Sequence, residues 1–200
     1  MESSAKDNRY VWKLRDVIMV ALLSIVFAVV YLGAVYLSSF FSSLLAPVGL
    51  APLGNEIVTG VWFMASTLAA YVLQKPGVAT IAEALAALVE MFLGSVYGPM
   101  VFVSGIIQGI GAEAAFALTR YKRFDMTTMC LAASGSCVTS FAWEFFRYDF
   151  NLLAAWLLIV MFIIRLASSL LLSGVLCKLA GDTLAETGLL KSYALGKPRG

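Results

Sequence analysis

The sequence predicts an all-α membrane protein, a bundle of six transmembrane helices with both termini in the cytoplasm. Hydrophobic residues make up 61% of the 200 residues and charged residues only 13%, and the mean hydropathy is +0.90. These values lie far outside the range of soluble domains. The apolar runs are continuous and lack the alternation of polar and apolar residues that marks a membrane β-barrel, which favours the helical class.

Six stretches are predicted to be spans, since a transmembrane helix needs about 20 predominantly apolar residues. They are Val17–Leu37, Ile57–Leu73, Val78–Leu93, Met100–Leu118, Met126–Phe146 and Leu152–Leu176. The connections between them are short, which predicts a single domain over residues 1–200. The apolar connection Ser38–Gly54 contains two prolines and two glycines and is predicted to be an external loop that covers a site like a lid.

The orientation follows from the lysine and arginine residues, because cytoplasmic loops of membrane proteins carry an excess of both. Those on the predicted cytoplasmic side are Lys6, Arg9, Lys13, Arg15, Lys75, Arg120, Lys122, Arg123, Lys178, Lys191, Lys197 and Arg199. Arg147 falls on the opposite side. We therefore predict a cytoplasmic N-terminal segment at 1–16, a cytoplasmic tail at 179–200 and a multi-pass protein of the bacterial plasma membrane.

Several chemistries are excluded by missing residues and motifs. The chain contains no histidine, which excludes Ser-His hydrolysis, HExxH zinc chemistry and histidine ligation of haem. It has no GxxxxGK[ST] phosphate loop, so it does not hydrolyse ATP by itself. Cys130, Cys137 and Cys177 lack the spacing of metal ligands and are interpreted as packing residues. We expect no catalytic residue, no metal site and no cofactor, and the glycine-rich segment 105–111 predicts close helix packing.

Five glutamates lie within or at the edge of the apolar spans: Glu56, Glu83, Glu90, Glu113 and Glu144. A carboxylate at the bilayer centre costs about 2.5–3.5 kcal/mol on insertion scales, so each needs a partner or a function. The alternating direction of the spans places three of them near the external face: Glu56, Glu90 and Glu144. The other two, Glu83 and Glu113, fall in the inner half, where we expect one of them to form a structural ion pair with Arg165.

Aromatic residues accompany the outer glutamates, among them Trp62 in the second span and Tyr97 before the fourth. An interfacial aromatic belt explains part of this pattern. Trp62 differs because it shares a helical face with Asn55 and Thr59, which sets an aromatic plane beside hydrogen-bonding groups. Such a face can stack a flat ring while carboxylates offset a positive charge. The sequence therefore predicts a site for a cationic small molecule.

The order and spacing of these polar residues resemble the YkoE family of substrate-specificity subunits, or S components, of energy-coupling-factor (ECF) vitamin importers. The resemblance covers about Leu14 to Phe146. Its segments are GNEI at 54–57, GVWF at 60–63, QKPG at 74–77, AEA at 82–84, LVE at 88–90 and IQGIGAE at 107–113. It implies six helices, cytoplasmic termini, a pocket open to the outside and no ATPase of its own.

In this family the S component captures thiamine or its hydroxymethylpyrimidine precursor, and partner subunits supply the energy. The resemblance implies one of these ligands, a membrane T component and cytoplasmic ATPase subunits as partners, with membrane lipid around the chain and no nucleic acid. In such transporters the T component contacts a stripe of small residues on the first span. Here Ala21, Ser24 and Ala28 share one helical face, and packing against another helix of the same bundle is an equal alternative.

Thiamine would suit this site, because its thiazolium ring is permanently charged and its aminopyrimidine presents donors and acceptors. The residues expected to contact it are Glu90 and Glu144 for charge and amine recognition, Gln108 and Asn55 for hydrogen bonds, Trp62 and Tyr97 for ring stacking, and Glu56 as an outer gate or further acceptor. Gln108 lies on a different helical face from Glu113, so the two should serve different clusters.

Two other hypotheses stay open at this point. An ion-coupled secondary transporter of organic cations would also use intramembrane glutamates, and would need neither partners nor ATP. An enzyme acting on a lipid within the membrane is weaker, because no set of nucleophile, base and oxyanion donor can be assembled without histidine or a metal motif.

Overall fold

A computed structural model of the chain describes residues 11–196, and this part is helical without strands. The α-helices are α1 (Leu14–Leu45), α2 (Pro52–Val58), α3 (Met64–Leu73), α4 (Val78–Phe92), α5 (Met100–Leu118), α6 (Met126–Arg147), α7 (Ala155–Ser168) and α8 (Cys177–Glu186). Four basic residues used to predict the orientation lie outside the described part: Lys6, Arg9, Lys197 and Arg199.

The eight helices form six rods, which match the six predicted spans. A 3₁₀ stretch, Thr59–Phe63, joins α2 to α3, and a π-helical stretch, Ser169–Leu176, joins α7 to α8. Four rods are long and apolar enough to cross a membrane: Leu14–Val48, Pro52–Leu73, Met100–Leu118 and Ala155–Glu186. The rod α4 has 15 residues, so it is about 22 Å long, shorter than the ~30 Å hydrocarbon core. The sixth rod continues past its predicted end at Leu176.

The predicted lid at Ser38–Gly54 is wrong, because α1 continues as a helix to Leu45 and a 3₁₀ turn follows at Ala46–Val48. Serine hydroxyls in this part donate to carbonyls one turn back, as Ser39 does to Val35 at 2.9 Å, so the polar residues do not interrupt the helix. The real turn is short. Gly49 supplies the left-handed conformation (φ 74°), and Pro52 starts α2 at the position where a missing N–H costs nothing.

The two irregular stretches in the second and sixth rods face each other in the interior of the bundle. The main-chain N–H of Gly60 donates to Ser168 Oγ at 3.1 Å, and this hydroxyl donates to the Ile57 carbonyl at 2.8 Å. Ser173 Oγ donates to the Phe63 carbonyl at 3.0 Å. Serine hydroxyls thus satisfy backbone groups that an interrupted helix leaves unpaired, which a membrane interior requires.

The glycine-rich segment 105–111 packs α5 closely against both neighbouring helices, as predicted. A Cβ on Gly105 would meet the Ala87 side chain of α4, and one on Gly111 would collide with the Gly135 carbonyl of α6. Small residues therefore let the three backbones approach one another, and this places the polar residues of α4, α5 and α6 around a common space.

The basic connections share one end of the bundle, which we name the basic end and define by Lys13, Lys75, Lys122 and Arg123. Lys75 Nζ lies 2.5 Å from Asp16 at the start of α1, and Gln74 of the α3–α4 connection borders the same small pocket as Lys122 and Arg123. The connections 49–51, 93–99 and 148–154 form the opposite end. This charge distribution agrees with the predicted orientation, and the cytoplasmic position of the basic end stays a prediction.

Candidate functional site

A cavity of about 400 Å³ lies toward the end of the bundle opposite the basic end. It is lined by the later part of α1, the second rod, α4, α5, the end of α6 and Met161 of α7, together with the α4–α5 and α6–α7 connections. Its inner limit is set by Tyr31 and Glu83, both fully buried, and its outer limit includes the exposed Val96 and the partly exposed Tyr148. All seven residues predicted to bind a ligand line it: Glu90, Glu144, Gln108, Trp62, Asn55, Tyr97 and Glu56.

Arg165 is buried behind one cavity wall, where it pairs with two carboxylates that line the cavity, Glu56 and Glu144. Its Nε and Nη2 donate to the two carboxylate oxygens of Glu56, the Nη2 bond measuring 2.7 Å, and Nη2 also lies 2.5 Å from Glu144 Oε2. Nη1 donates to Ser140 Oγ at 3.2 Å, and the guanidinium sits 5.1 Å from the Phe141 ring centre. This buried network joins α7 to α2 and α6 and holds two carboxylates around one cation.

The predicted ion pair between Arg165 and Glu83 or Glu113 is therefore wrong. Side chains on a helix tilt toward its N-terminus, and the N-terminus of α7 lies at the cavity end. The long arginine side chain consequently reaches outward to Glu56 and Glu144, instead of inward. Glu56, expected to act as an outer gate or further acceptor, has both carboxylate oxygens paired with Arg165 and a side chain only 1% exposed.

The two inner glutamates satisfy backbone N–H groups at helix starts. Glu83 accepts from Tyr31 Oη at 2.7 Å and from the main-chain N–H of Ser66, near the start of α3, at 2.9 Å. Glu113 accepts from the N–H groups of Gly77 and Thr80, at 2.6 and 3.2 Å, where α4 begins. The first N–H groups of a helix have no partner within it and favour negative charge, so both carboxylates stabilise the bundle.

One carboxylate oxygen of Glu90 accepts no hydrogen bond from the described part of the chain. The residue is fully buried and lines the cavity. Its Oε1 accepts from Ser95 Oγ at 2.9 Å, whereas its Oε2 has no hydrogen-bond donor. The Trp62 side chain lies close enough to interact with the carboxyl group, but no donor among the described residues meets hydrogen-bond geometry at Oε2. Buried polar atoms are nearly always paired, so this oxygen is suited to a donor brought by a ligand.

Two side-chain amides add hydrogen-bonding groups to the cavity. Asn55 Oδ1 accepts from Ser38 Oγ at 3.0 Å and from Tyr97 Oη at 3.2 Å. These two hydrogen bonds use the amide oxygen and not the NH₂ group. The Gln108 side chain lines the cavity, while its main-chain carbonyl accepts from Ser136. An amide can donate and accept at once, so these two side chains can form hydrogen bonds with the edge of a heterocyclic ring.

An aromatic corner closes the cavity beside these amides. The Trp62 and Tyr97 rings meet edge to face, with centres 6.1 Å apart and an interplanar angle of 78°. Tyr97 belongs to the α4–α5 connection, where Gly94 and Gly98 have positive φ. Burial raises the pKa of Tyr97 above its usual range, so its hydroxyl stays protonated and donates to Asn55.

Other cavity residues were not singled out from the sequence as binding residues: Tyr31, Ser38, Ser104, Arg147 and Tyr148. Ser104 Oγ accepts from Trp143 Nε1 at 3.0 Å and from Arg147 Nη1 at 3.2 Å. The signal for Arg147 was present in the sequence, since it is the one basic residue predicted between spans on the external side.

The small-residue stripe on α1 faces the interior, which corrects its assignment to a partner subunit. Ser24 and Ala28 are buried, and Ser24 Oγ donates to the Ala82 carbonyl of α4 at 3.0 Å. Ala21 is half-buried. The alternative that these residues pack against another helix of the same bundle accounts for Ser24 and Ala28.

Comparisons with known proteins agree on a transporter subunit. The sequence profile of the family described as "ABC-type cobalt transport system, permease component" matches residues 15–139. The chain is 44% identical to the "Putative HMP/thiamine permease protein YkoE" of Bacillus subtilis (strain 168) over 186 residues, which cover 93% of this chain and 91% of the relative. A crystal structure described as "an S-component of ECF transporter" superposes with a TM-score of 0.87 at 43% identity, covering 94% of this chain and 92% of that one. The chain therefore belongs to the YkoE family and has the membrane fold of the S components of ECF transporters.

Proposed function

We propose that this protein is the substrate-binding S component of an ECF importer and captures thiamine or its hydroxymethylpyrimidine precursor in the cavity described above. The observation that carries the proposal is the unpartnered Oε2 of Glu90, a buried acceptor in a cavity with aromatic and amide walls. The volume of about 400 Å³ falls within the ~300–1,000 Å³ of small-molecule sites.

Both ligands contain an aminopyrimidine, whose exocyclic amine would donate to Glu90 Oε2. The Asn55 and Gln108 amides would form hydrogen bonds with the ring nitrogens. Trp62 and Tyr97 would contact the ring faces. Each of these groups lines the cavity. A hydrogen bond to a charged acceptor contributes about 1.5–3 kcal/mol, so this single pairing accounts for a large part of the discrimination against a ring without the amine.

The thiazolium ring of thiamine also needs a counter-charge, because burying an unpaired cation is prohibitive. Arg165 offsets only one of its two carboxylate partners, which leaves this network with one net negative charge if both are ionised. Glu144, with a side chain 13% exposed, belongs to the network and lines the cavity. The thiazolium is therefore proposed to lie toward Glu144 and the aminopyrimidine toward Glu90.

The family whose profile matches residues 15–139 is described as a cobalt transport system, and a Co²⁺ ligand is the second candidate. The cavity geometry supports it less. Arg165 already engages Glu56 and Glu144, and within residues 11–196 no group of three His, Cys, Asp or Glu side chains is placed to hold a metal ion. An organic cation needs one or two carboxylates and aromatic walls, which this cavity provides.

The partners proposed for this chain are a membrane T component and cytoplasmic ATPase subunits, which would supply the energy for uptake. The experiment is a pair of assays on purified protein. In detergent, it should bind thiamine or the pyrimidine by calorimetry. In liposomes, the protein alone should not transport the ligand, and ATP-dependent uptake should require the co-reconstituted partners. Uptake driven by an ion gradient without partners would instead establish the secondary-transporter hypothesis.

A further inference from the structure

The outer part of the cavity carries a cation that has no carboxylate within 4 Å among residues 11–196. Arg147, the last residue of α6, lines the cavity. Its Nη1 donates to Ser104 Oγ at 3.2 Å and its Nη2 to the Tyr97 carbonyl at 3.3 Å. Both acceptors are neutral. Across the described residues, the ion pairs within 4 Å involve other basic side chains.

A lone guanidinium at this position is unfavourable for a site that binds only a plain cation. It sits 4.8 Å from the Tyr148 ring centre, which stabilises it in part, yet its charge still opposes the approach of a positive ligand. The conflict disappears if the ligand carries an anionic group at its outer end. A neutral side chain could make the same two hydrogen bonds without this repulsion.

The guanidinium retains the donors that an anion needs. An arginine side chain has five N–H groups, and the two hydrogen bonds to Ser104 and Tyr97 use two of them. The guanidinium fork matches the oxygens of phosphate better than any other side chain. Hydroxyl groups of Ser42 and Tyr148 line the same cavity and add further donors.

Arg147 and the free oxygen of Glu90 lie on different walls of the cavity. Glu90, with its unpartnered oxygen, is on α4, whereas Arg147 is on α6, and α5 packs between these two helices. A ligand that spans the walls would meet a carboxylate with one end and a guanidinium with the other. This arrangement fits a molecule with an amine-bearing or cationic ring at one end and an anion at the other.

We infer that the cavity also accepts phosphate monoesters of the ligands proposed above, with Arg147 as the residue that contacts the phosphate and determines this specificity. The inference rests on the proposed function, because it extends the same ligand by one group. Glu90 would keep its role toward the aminopyrimidine, which esters and parent compounds share, and Arg147 would distinguish the ester.

The test is calorimetry on the full chain in detergent with two ligand pairs: thiamine and thiamine monophosphate, and hydroxymethylpyrimidine and its monophosphate. The readout is the ratio of ester affinity to parent affinity within a pair. Arg147→Gln should lower this ratio about tenfold or more, as expected for a lost charged hydrogen bond. Arg147→Lys should preserve most of it, because the charge remains. Arg123→Gln, an exposed arginine at the basic end, is the matched control.

The ratio separates a specificity role from a structural one. If Arg147 only ties α6 to the Tyr97 connection, Arg147→Gln would weaken ester and parent equally, and an unchanged ratio would overturn the inference. Wild-type protein that binds a parent compound but no ester would overturn it too, leaving the proposed function intact. Binding of neither parent nor ester would contradict both.

Discussion

Two glutamates on α4, Glu83 and Glu90, lie seven residues apart, are both fully buried and both line the cavity, yet their surroundings differ. At the inner limit, both oxygens of Glu83 accept hydrogen bonds from α1 and α3. Near the outer end, Glu90 has one oxygen paired with Ser95 and the other unpaired. Burial alone therefore does not identify a binding residue in this bundle. We propose that the unused acceptor marks Glu90 as the binding residue.

The same contrast extends to the other glutamates. Glu113 near the basic end accepts from three donors, whereas Glu56 and Glu144 share Arg165 at the cavity wall. Toward the basic end, the carboxylates accept hydrogen bonds from backbone N–H groups at helix starts. Toward the cavity, an ion-pair network lies beside the unpaired oxygen of Glu90. We therefore propose that structural and ligand-binding roles are separated along the bundle, and mutations can test this.

The largest expected effect is on stability, from Arg165→Ala. Removing the cation leaves Glu56 and Glu144 buried side by side without compensation, at a cost of about 3–5 kcal/mol. The melting temperature in detergent should fall strongly, and Arg123→Ala, an exposed arginine of the α5–α6 connection, should leave it nearly unchanged. A melting temperature unaffected by Arg165→Ala would mean that the network does not hold α7 to α2 and α6.

The next effect is on affinity, from Glu90→Gln. The variant keeps the size of the side chain but replaces a charged acceptor by a neutral amide, so binding of thiamine or the pyrimidine should weaken by about 1.5–3 kcal/mol. Calorimetry measures the affinity, and thermal unfolding without ligand should show little loss of stability. Parental affinity in this variant would show that the free oxygen does not meet the ligand.

Glu83→Gln is the matched counterpart on the same helix, and it should lower stability more than affinity. A glutamine amide can accept from only one of the two donors, Tyr31 or the Ser66 N–H, and its NH₂ group then faces the other. We expect a loss of about 1–3 kcal/mol in the free energy of unfolding. If this variant instead lost binding without a change in stability, the distinction between the two glutamates would fail.

The smallest effect should come from Glu113→Gln. The amide oxygen can still accept from the Gly77 N–H, and only the 3.2 Å bond from Thr80 is lost, so we expect about 1 kcal/mol, as for a helix cap. Ligand affinity should not change, because Glu113 does not line the cavity. Calorimetry and thermal unfolding on one preparation would measure both. A large loss of affinity would show that the two ends of the bundle are coupled.

Much of the architecture followed from composition and depth. Apolar runs predicted the six rods, and the direction of each span placed Glu56, Glu90 and Glu144 toward one end, where the cavity lies. Depth in the membrane did not predict which carboxylate pairs with Arg165, because depth specifies only the position along the bundle. Which carboxylate the guanidinium meets depends on the rotation of α7 and on the tilt of its side chains toward the N-terminus.

By itself the sequence determined the membrane class, the number of rods, the basic end and seven of the residues that line the cavity, because these depend on hydropathy, charge and helical period. Only the tertiary structure decided how each polar group is satisfied. The start of α3 meets Glu83 and Tyr31, the start of α4 meets Glu113, and α1 runs to Leu45 where a lid was predicted. In a membrane interior every backbone group needs a protein partner, and the choice among nearby partners depends on how the helices pack.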